Sequence, residues 1–362
     1  MADILLYGAT GYTGRLSAEA LRSRGADFAI AGRDEGKLQT LASTVGDPTV
    51  HVVPSGDRAA LVRALDGCKV LVTCVGPFMA LGRTALEAAL EAGVHYIDST
   101  GEGPFIHELI EKDHARAKAA GIAIAPAMGF DEVPGDLACS LAAYGMASPR
   151  LHVTYAMPKT ASAGTLRSII GIVASRGPWI EAGETRMVRA GEVGRWAPMP
   201  HPLGPRRATS FPLALCHLAP RHIDCSTFRT YLTTGRAEAV LMKAGVPILA
   251  AWTKTPLRGV LESLVGTAPE GPSDEARAAG AWTILAEARS GQVWRNVVLR
   301  GTDVYGLTGH TLAAAAEAMA EDGFSATGVL APTEALGLER TKEELESLGV
   351  TIDTYAPVEE GA

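Results

Sequence analysis

The chain has little of what marks several large functional classes. Its five cysteines form no C-x-x-C pair, which argues against a disulfide framework or a thiolate zinc site and fits a reducing, cytoplasmic setting. Its nine histidines show no H-E-x-x-H or equivalent spacing, so no bound metal is expected. There is no dense lysine or arginine tract, and a formal charge of −7 weighs against a nucleic-acid partner. Apolar runs stop short of the roughly 18 residues that a membrane-crossing helix needs. The nearest approach, Ala244–Trp252, contains Pro247 and is followed by Lys254; it reads as a buried core segment, or as the lining of a greasy pocket or interface. Only Met1 and Ala2 precede the first strand-like run, so no signal peptide is expected. No serine sits in G-x-S-x-G, which leaves a hydrolase without support.

What the chain does have is a glycine ladder straight after a strand-like run. Asp3-Ile-Leu-Leu-Tyr7 leads into Gly8-Ala-Thr10-Gly11-Tyr12-Thr13-Gly14, and a helical pattern begins at once. Gly8 permits the turn, Gly11 lets backbone approach a pyrophosphate, and Gly14 lets the helix pack close to the sheet. The spacing is G-x-x-G-x-x-G, a variant of the dinucleotide fingerprint. The next strand ends in Gly32 where an NAD site would carry an acid, and Arg33 follows. A guanidinium there suits a 2′-phosphate, so NADP(H) is preferred over NAD(H). Lys37 either adds charge or is a solvated helix residue; Asp57 either touches the adenine edge or caps a helix.

Strand-like segments near 3–7, 27–32, 49–53, 69–75, 94–97 and 121–125 alternate with helical patterns, which predicts a doubly wound parallel sheet of Rossmann type. Further on, 282–289 and 293–300 flank Ser290-Gly-Gln, a hairpin signal that predicts a second α/β lobe with an antiparallel sheet. The expected division is a cofactor domain over 1–130, a substrate or dimerisation domain over 131–340, and a helix and tail over 341–362 returning to the Rossmann lobe. The proline-rich stretch 196–220, with Arg206 and Arg207, reads as an ordered loop, lid or homodimer arm.

Several stretches together resemble the saccharopine dehydrogenase-like reductases, and within them the trans-acting enoyl reductase branch. They are the glycine ladder, Ala31-Gly-Arg-Asp34, Cys74-Val75-Gly76-Pro77-Phe78, Tyr96-Ile-Asp98-Ser-Thr-Gly-Glu102 and Pro126-Ala-Met-Gly-Phe-Asp131-Glu-Val-Pro-Gly-Asp136. The resemblance implies an NADP(H)-binding lobe, a second lobe with an antiparallel sheet, and reduction of a carbon–carbon double bond in an acyl chain, with the substrate free or carrier-bound. Glu-Val-Pro follows Gly129-Phe-Asp131 where saccharopine reductases have Pro-Gly-Ile, which counts against an amino-acid substrate.

Hydride chemistry belongs to the cofactor, so the protein must bind, orient and polarise. Val75, Gly76 and Pro77 would form a turn beneath the ribose and nicotinamide, with Phe78 as an apolar wall or as core. Asp98 and Glu102 are candidate acids if burial raises them, and otherwise organise hydrogen bonds. Asp131 would hold the nicotinamide amide or fix the lobe junction. Thr165, with Ser162 and Arg167, offers hydroxyls and N–H groups to a substrate carbonyl. Two other readings stay open: a saccharopine- or opine-type C=N reductase, and an NADPH-binding sensor or scaffold without turnover.

Overall fold

The computed structural model describes residues 2–158, 176–252 and 271–357. Two compact units divide the chain: Met1–Val133 with Val304–Glu344, and Pro134–Asp303 with Leu345–Ala362.

The first unit is built on strands that are apolar along their length. β1 (Ile4–Tyr7), β2 (Phe28–Gly32) and β4 (Val70–Thr73) are buried at every position, as strands covered on both faces must be. With β3 (Val50–Val52), β5 (His95–Asp98), β6 (Ala123–Ala125) and the short strand Gly328–Val329 they form one parallel sheet. Its order is Gly328–Val329, β6, β5, β4, β1, β2, β3. The order of strand addition switches from one side of β1 to the other between β3 and β4, and ligands bind such parallel sheets outside the carboxyl ends of the strands at that switch. There the Cys74 N–H donates to the Tyr7 carbonyl at 2.9 Å. Helices α1 (Tyr12–Arg24), α2 (Glu35–Thr44), α3 (Arg58–Ala64) and α4 (Phe78–Ala92) follow β1 to β4 in turn.

The sequence alone places residues 131–340 in a single domain, but the helix Val304–Ala320 joins the first unit. A Cβ on Gly309 would come within 2.9 Å of the Leu16 backbone of α1, and Ala313 to Ala316 are all buried. A helix apolar on every side cannot lie on a surface.

The second unit holds a nine-stranded sheet in which β7 (Arg150–Ala156) is central. β8 (Gly177–Glu181), β9 (Glu184–Val188), β10 (Gly194–Ala197), β11 (Arg206–Ser210), β12 (Thr227–Thr233), β13 (Trp282–Ser290) and β14 (Val293–Gly301) complete its main body. All pairings are antiparallel except β12 with β7. The β13–β14 hairpin turns at Gly291, whose φ is 59°, the left-handed conformation such a turn requires.

Two expectations are corrected here. The C-terminal segment divides: Glu344, on the helix Leu338–Ser347, returns to the first unit and accepts from Arg24 of α1 at 2.7 Å, whereas the strand Thr351–Tyr355 pairs with β14, Ile352 opposite Leu299. Arg206 and Arg207 lie on β11, a strand hydrogen-bonded on both sides, and not in a lid or arm. Pro198, Pro200, Pro202 and Pro205 fall between β10 and β11, where no ladder N–H is required of them.

Candidate functional site

The turn after β1 is packed to the limit at two glycines and open at the third. Gly8 has φ 84°, and a Cβ there would stand 2.7 Å from Val75 Cγ2. A Cβ on Gly14 would overlap the Gly8 carbonyl oxygen and lie 2.9 Å from the Ala9 backbone. Gly11 is exposed, and a Cβ there would meet only the Gly8 oxygen at 3.4 Å. The three glycines thus have separate reasons: turn, helix packing, and an open face above the start of α1.

The first four helices differ in how their N-termini are satisfied. Asp34 caps α2 by accepting from the Lys37 N–H at 3.0 Å. Asp57 caps α3 by accepting from the Ala60 N–H at 2.9 Å. For α4 the cap comes from a distance: Glu102 accepts from the Phe78 N–H at 2.8 Å and from the Met79 N–H at 3.0 Å. Only α1 of the four has no side-chain cap, because its N-cap is Gly11. A helix start carries N–H groups outside the helical ladder and the positive end of the dipole; at α1 no capping side chain meets them, while three carboxylates occupy the other positions.

Gly32 is buried at the end of β2, and Arg33 beyond it is exposed. Arg33 makes no ion pair with a described residue. Burial pushes the Tyr7 phenol above its ordinary value, with the nearby Arg33 guanidinium lowering it and the Asp57 carboxylate raising it. Both charges therefore bear on the end of β1. Lys37 is exposed in the first turn of α2. Thr10, Tyr12 and Thr13 are half-buried around the ladder; Tyr12 meets Tyr305 edge-on at 5.2 Å. Arg15, which the motif does not single out, donates to the Thr10 carbonyl at 3.1 Å.

The acidic candidates separate sharply. Asp98 is wholly buried and accepts from the Tyr96 hydroxyl at 2.8 Å and from the Thr100 and Ala127 N–H groups, each at 2.9 Å. Burial lifts its carboxyl to about 6 against the pull of these donors. It ties β5 to the loop after β6, where Ala127 has φ 60°, and is an organiser, not an accessible acid. Thr308 and Thr311 hold the same loop: Thr308 accepts from the Phe130 N–H at 3.0 Å, and Thr311 donates to the Met128 carbonyl at 2.8 Å. At the end of that loop stands Asp131, partly exposed as a residue, with its carboxyl raised to about 6 by burial. Its Oδ2 would be 3.4 Å from a Cβ on Gly101, so the carboxylate lies against that glycine.

At three positions where two readings stood open, the structure favours one. Asp57 takes the helix-cap role, one of its two readings. Glu102 is a cap and not a free acid, since both carboxylate oxygens accept from α4. Phe78 is 7% exposed and packs its ring 6.1 Å from that of Phe105, so it is core and not the wall of a pocket; Gly76 and Pro77 just before it are exposed. Thr165, Ser162 and Arg167 lie outside the described residues. Burial pushes the Cys74 thiol up to about 12, which leaves it inert.

Removing the distant cap should have a measurable cost. Glu102→Ala is expected to lower unfolding stability by about 1–2 kcal/mol, the range for losing a charged helix cap, as read from urea denaturation. Glu102→Gln, which keeps one acceptor oxygen, should recover part of it.

The comparisons agree with this geometry. The family model of the saccharopine dehydrogenase NADP binding domain matches residues 4–125. A trans-acting enoyl reductase of Mycobacterium leprae (strain TN) is 37% identical over 141 residues, covering 37% of this chain and 34% of that protein. A putative trans-acting enoyl reductase of Mycobacterium tuberculosis (strain ATCC 25618 / H37Rv) is 38% identical over 145 residues, with the same coverage. The matched stretch thus spans about a third of the length of these relatives. The apo saccharopine dehydrogenase (L-Glu forming) of Saccharomyces cerevisiae shares the fold at a TM-score of 0.67, over 99% of this chain and 100% of that one, with 12% identity. Residues 4–125 thus form an NADP-binding domain similar to that of the saccharopine dehydrogenases.

Proposed function

We propose that the protein is an NADPH-dependent reductase that transfers hydride to a carbon–carbon double bond, or a carbonyl group, of a hydrophobic acyl substrate, free or carrier-bound. The observation that carries the cofactor half is α1, the one uncapped start among the first four helices, with Arg33 free of any ion pair to a described residue, where α2, α3 and α4 each have a carboxylate cap. The substrate half is supported by the relatives named trans-acting enoyl reductase. The reduced nicotinamide supplies the hydride when bound. The chain's residues do the remainder: the Gly8 to Gly14 turn and the α1 N–H groups hold the pyrophosphate, and Arg33 holds the 2′-phosphate. Gly76 and Pro77 shape the turn after β4. Asp131, whose carboxyl is raised to about 6, holds a proton in mildly acidic solution, while Asp98, Thr308 and Thr311 fix the loop that presents it.

Asp131 gives this reading a pH signature. Its carboxyl is protonated below about 6, so donation from it weakens as pH rises through that value. In wild type kcat/KM is expected to fall across that window, and in Asp131→Asn the inflection is expected to disappear; an unchanged profile would remove Asp131 from the chemistry.

The substrate test is NADPH oxidation against two panels, α,β-unsaturated acyl compounds of increasing chain length and keto acids paired with amino acids. Turnover should occur with the first and improve with length, since each buried CH₂ contributes about 0.8 kcal/mol. Turnover confined to the second panel would make the protein a C=N reductase. Tight NADPH binding with neither would make it a sensor or scaffold.

A further inference from the structure

The helix Arg236–Trp252 turns apolar residues toward water. Its inner side holds Ala239 and Val246, both buried, and Met242, whose sulfur lies 3.8 Å from the Thr209 hydroxyl of β11. Gly191 lies beneath the same side, where a Cβ would stand 2.9 Å from Met242 Cβ. At 3.6 residues per turn the opposite side carries Ala237, Val240, Leu241 and Ala244, all exposed, with Val240 at 69% and Leu241 at 71%. A helix apolar on its inner and outer sides is suited to burial on both. The sequence then continues without a charge from Ala244 to Trp252.

Basic and aromatic groups surround this stripe. Arg236 and Lys243 are exposed along one margin, while Glu238 turns back to accept from the Gly235 N–H at 2.7 Å. The β10–β11 hairpin adds Trp196, 63% exposed, paired across the strands with the exposed Arg207. The Arg207 carbonyl accepts from the Thr234 N–H at 3.0 Å, next to the first turn of the helix. Arg207 and Thr209 point to the same side of β11, two residues apart, so Trp196 and Arg207 lie on the side of the hairpin that carries the helix.

We propose that this surface docks on an anionic lipid layer, with Val240, Leu241 and Trp196 at the acyl boundary and Arg207, Arg236 and Lys243 at the headgroup phosphates. An apolar stripe with basic margins and a tryptophan is the pattern of a helix that lies in a lipid interface. The stripe has no side-chain donor or acceptor with which a protein partner could fix an orientation, and a lipid layer needs none. The helix is about 25 Å long at 1.5 Å per residue and holds Pro247; no described helix is long and apolar enough to cross a membrane, so it lies on the layer and does not span it.

Flotation of the full chain with vesicles tests this, comparing phosphatidylcholine alone with phosphatidylcholine containing phosphatidylglycerol. Wild type should float with the anionic vesicles and be released by salt. The double change Val240→Glu with Leu241→Glu should cut the bound fraction about tenfold or more, and Lys243→Glu should weaken binding to the anionic vesicles. Leu241→Ala is the milder variant should the double change fail to fold; it too should reduce flotation, with NADPH affinity and the unfolding midpoint unchanged. Absence of wild-type binding to either vesicle, or binding that Leu241→Ala leaves intact, overturns the proposal. So does self-association by light scattering that Leu241→Ala disperses, which would assign the stripe to a second copy of the chain.

Discussion

Gly11→Val is expected to fold and lose NADPH, whereas Gly14→Ala, a smaller change three residues away, is expected to cost the fold. The two glycines look equivalent in the motif and differ in what surrounds them. Gly11 has φ −73° and ψ 167°, an extended conformation that a β-branched residue adopts readily. Its Cβ meets nothing closer than the Gly8 oxygen at 3.4 Å. Valine is therefore accommodated, and its methyl groups stand over the open amides of α1, where they exclude a pyrophosphate. NADPH affinity should drop by about two orders of magnitude or more, equivalent to roughly 3 kcal/mol, with circular dichroism and thermal midpoint near wild type. At Gly14 the added methyl meets the backbone of Gly8 and Ala9, which has no rotamer with which to give way. Overpacking of that kind costs about 1–3 kcal/mol and sometimes more, and the displaced Gly8 would then press on Val75. Calorimetric titration and a denaturation curve on both variants check the pair. Undiminished NADPH binding by a folded Gly11→Val protein would make the ladder purely structural.

The glycine example also shows what could be read from residues alone. Local patterns carried well: the strands from β1 to β6 are short apolar runs bounded by turn residues, and Ser290-Gly-Gln marked the β13–β14 hairpin. Long-range assignments carried poorly, for a physical reason. Nothing near Glu102 in the chain says that its carboxylate reaches Phe78 and Met79, which belong to a different β–α connection. Nor does the alanine-rich run at 313–316 name its partner; it says only that the helix must be buried, and α1 turned out to cover it. Thr308 and Thr311 escaped for the same reason, since they act on a loop some 180 residues earlier in the chain. The prolines near 200 misled because they fill a connection while Arg206–Ser210, which has none, forms a strand. Asp98 was legible as a polar residue at a strand end but not as a carboxylate consumed by three donors.

Arg33→Glu is expected to reverse the cofactor preference. Arg33 follows the last residue of β2, is exposed, and has no carboxylate partner among the described residues to give up on binding. A bidentate guanidinium–phosphate contact consists of charge-assisted hydrogen bonds, each contributing about 1.5–3 kcal/mol. Its loss alone should weaken NADPH binding by about 100-fold, and a like charge facing the 2′-phosphate should weaken it further. The new carboxylate would also supply the acid that Gly32 does not, one able to accept from free ribose hydroxyls. NADH affinity should therefore hold steady or rise while NADPH affinity falls. Arg33→Ala separates the two contributions: it should lose the preference without inverting it. The exposed position predicts little change in stability, so the fold serves as its own control, and the salt dependence of NADPH binding should flatten once the guanidinium is gone. If the unaltered protein binds NADH as tightly as NADPH, or if Arg33→Glu leaves the ratio of the two dissociation constants unmoved, the 2′-phosphate is held elsewhere. Lys37, exposed one helical turn further along α2, would then be the first residue to change.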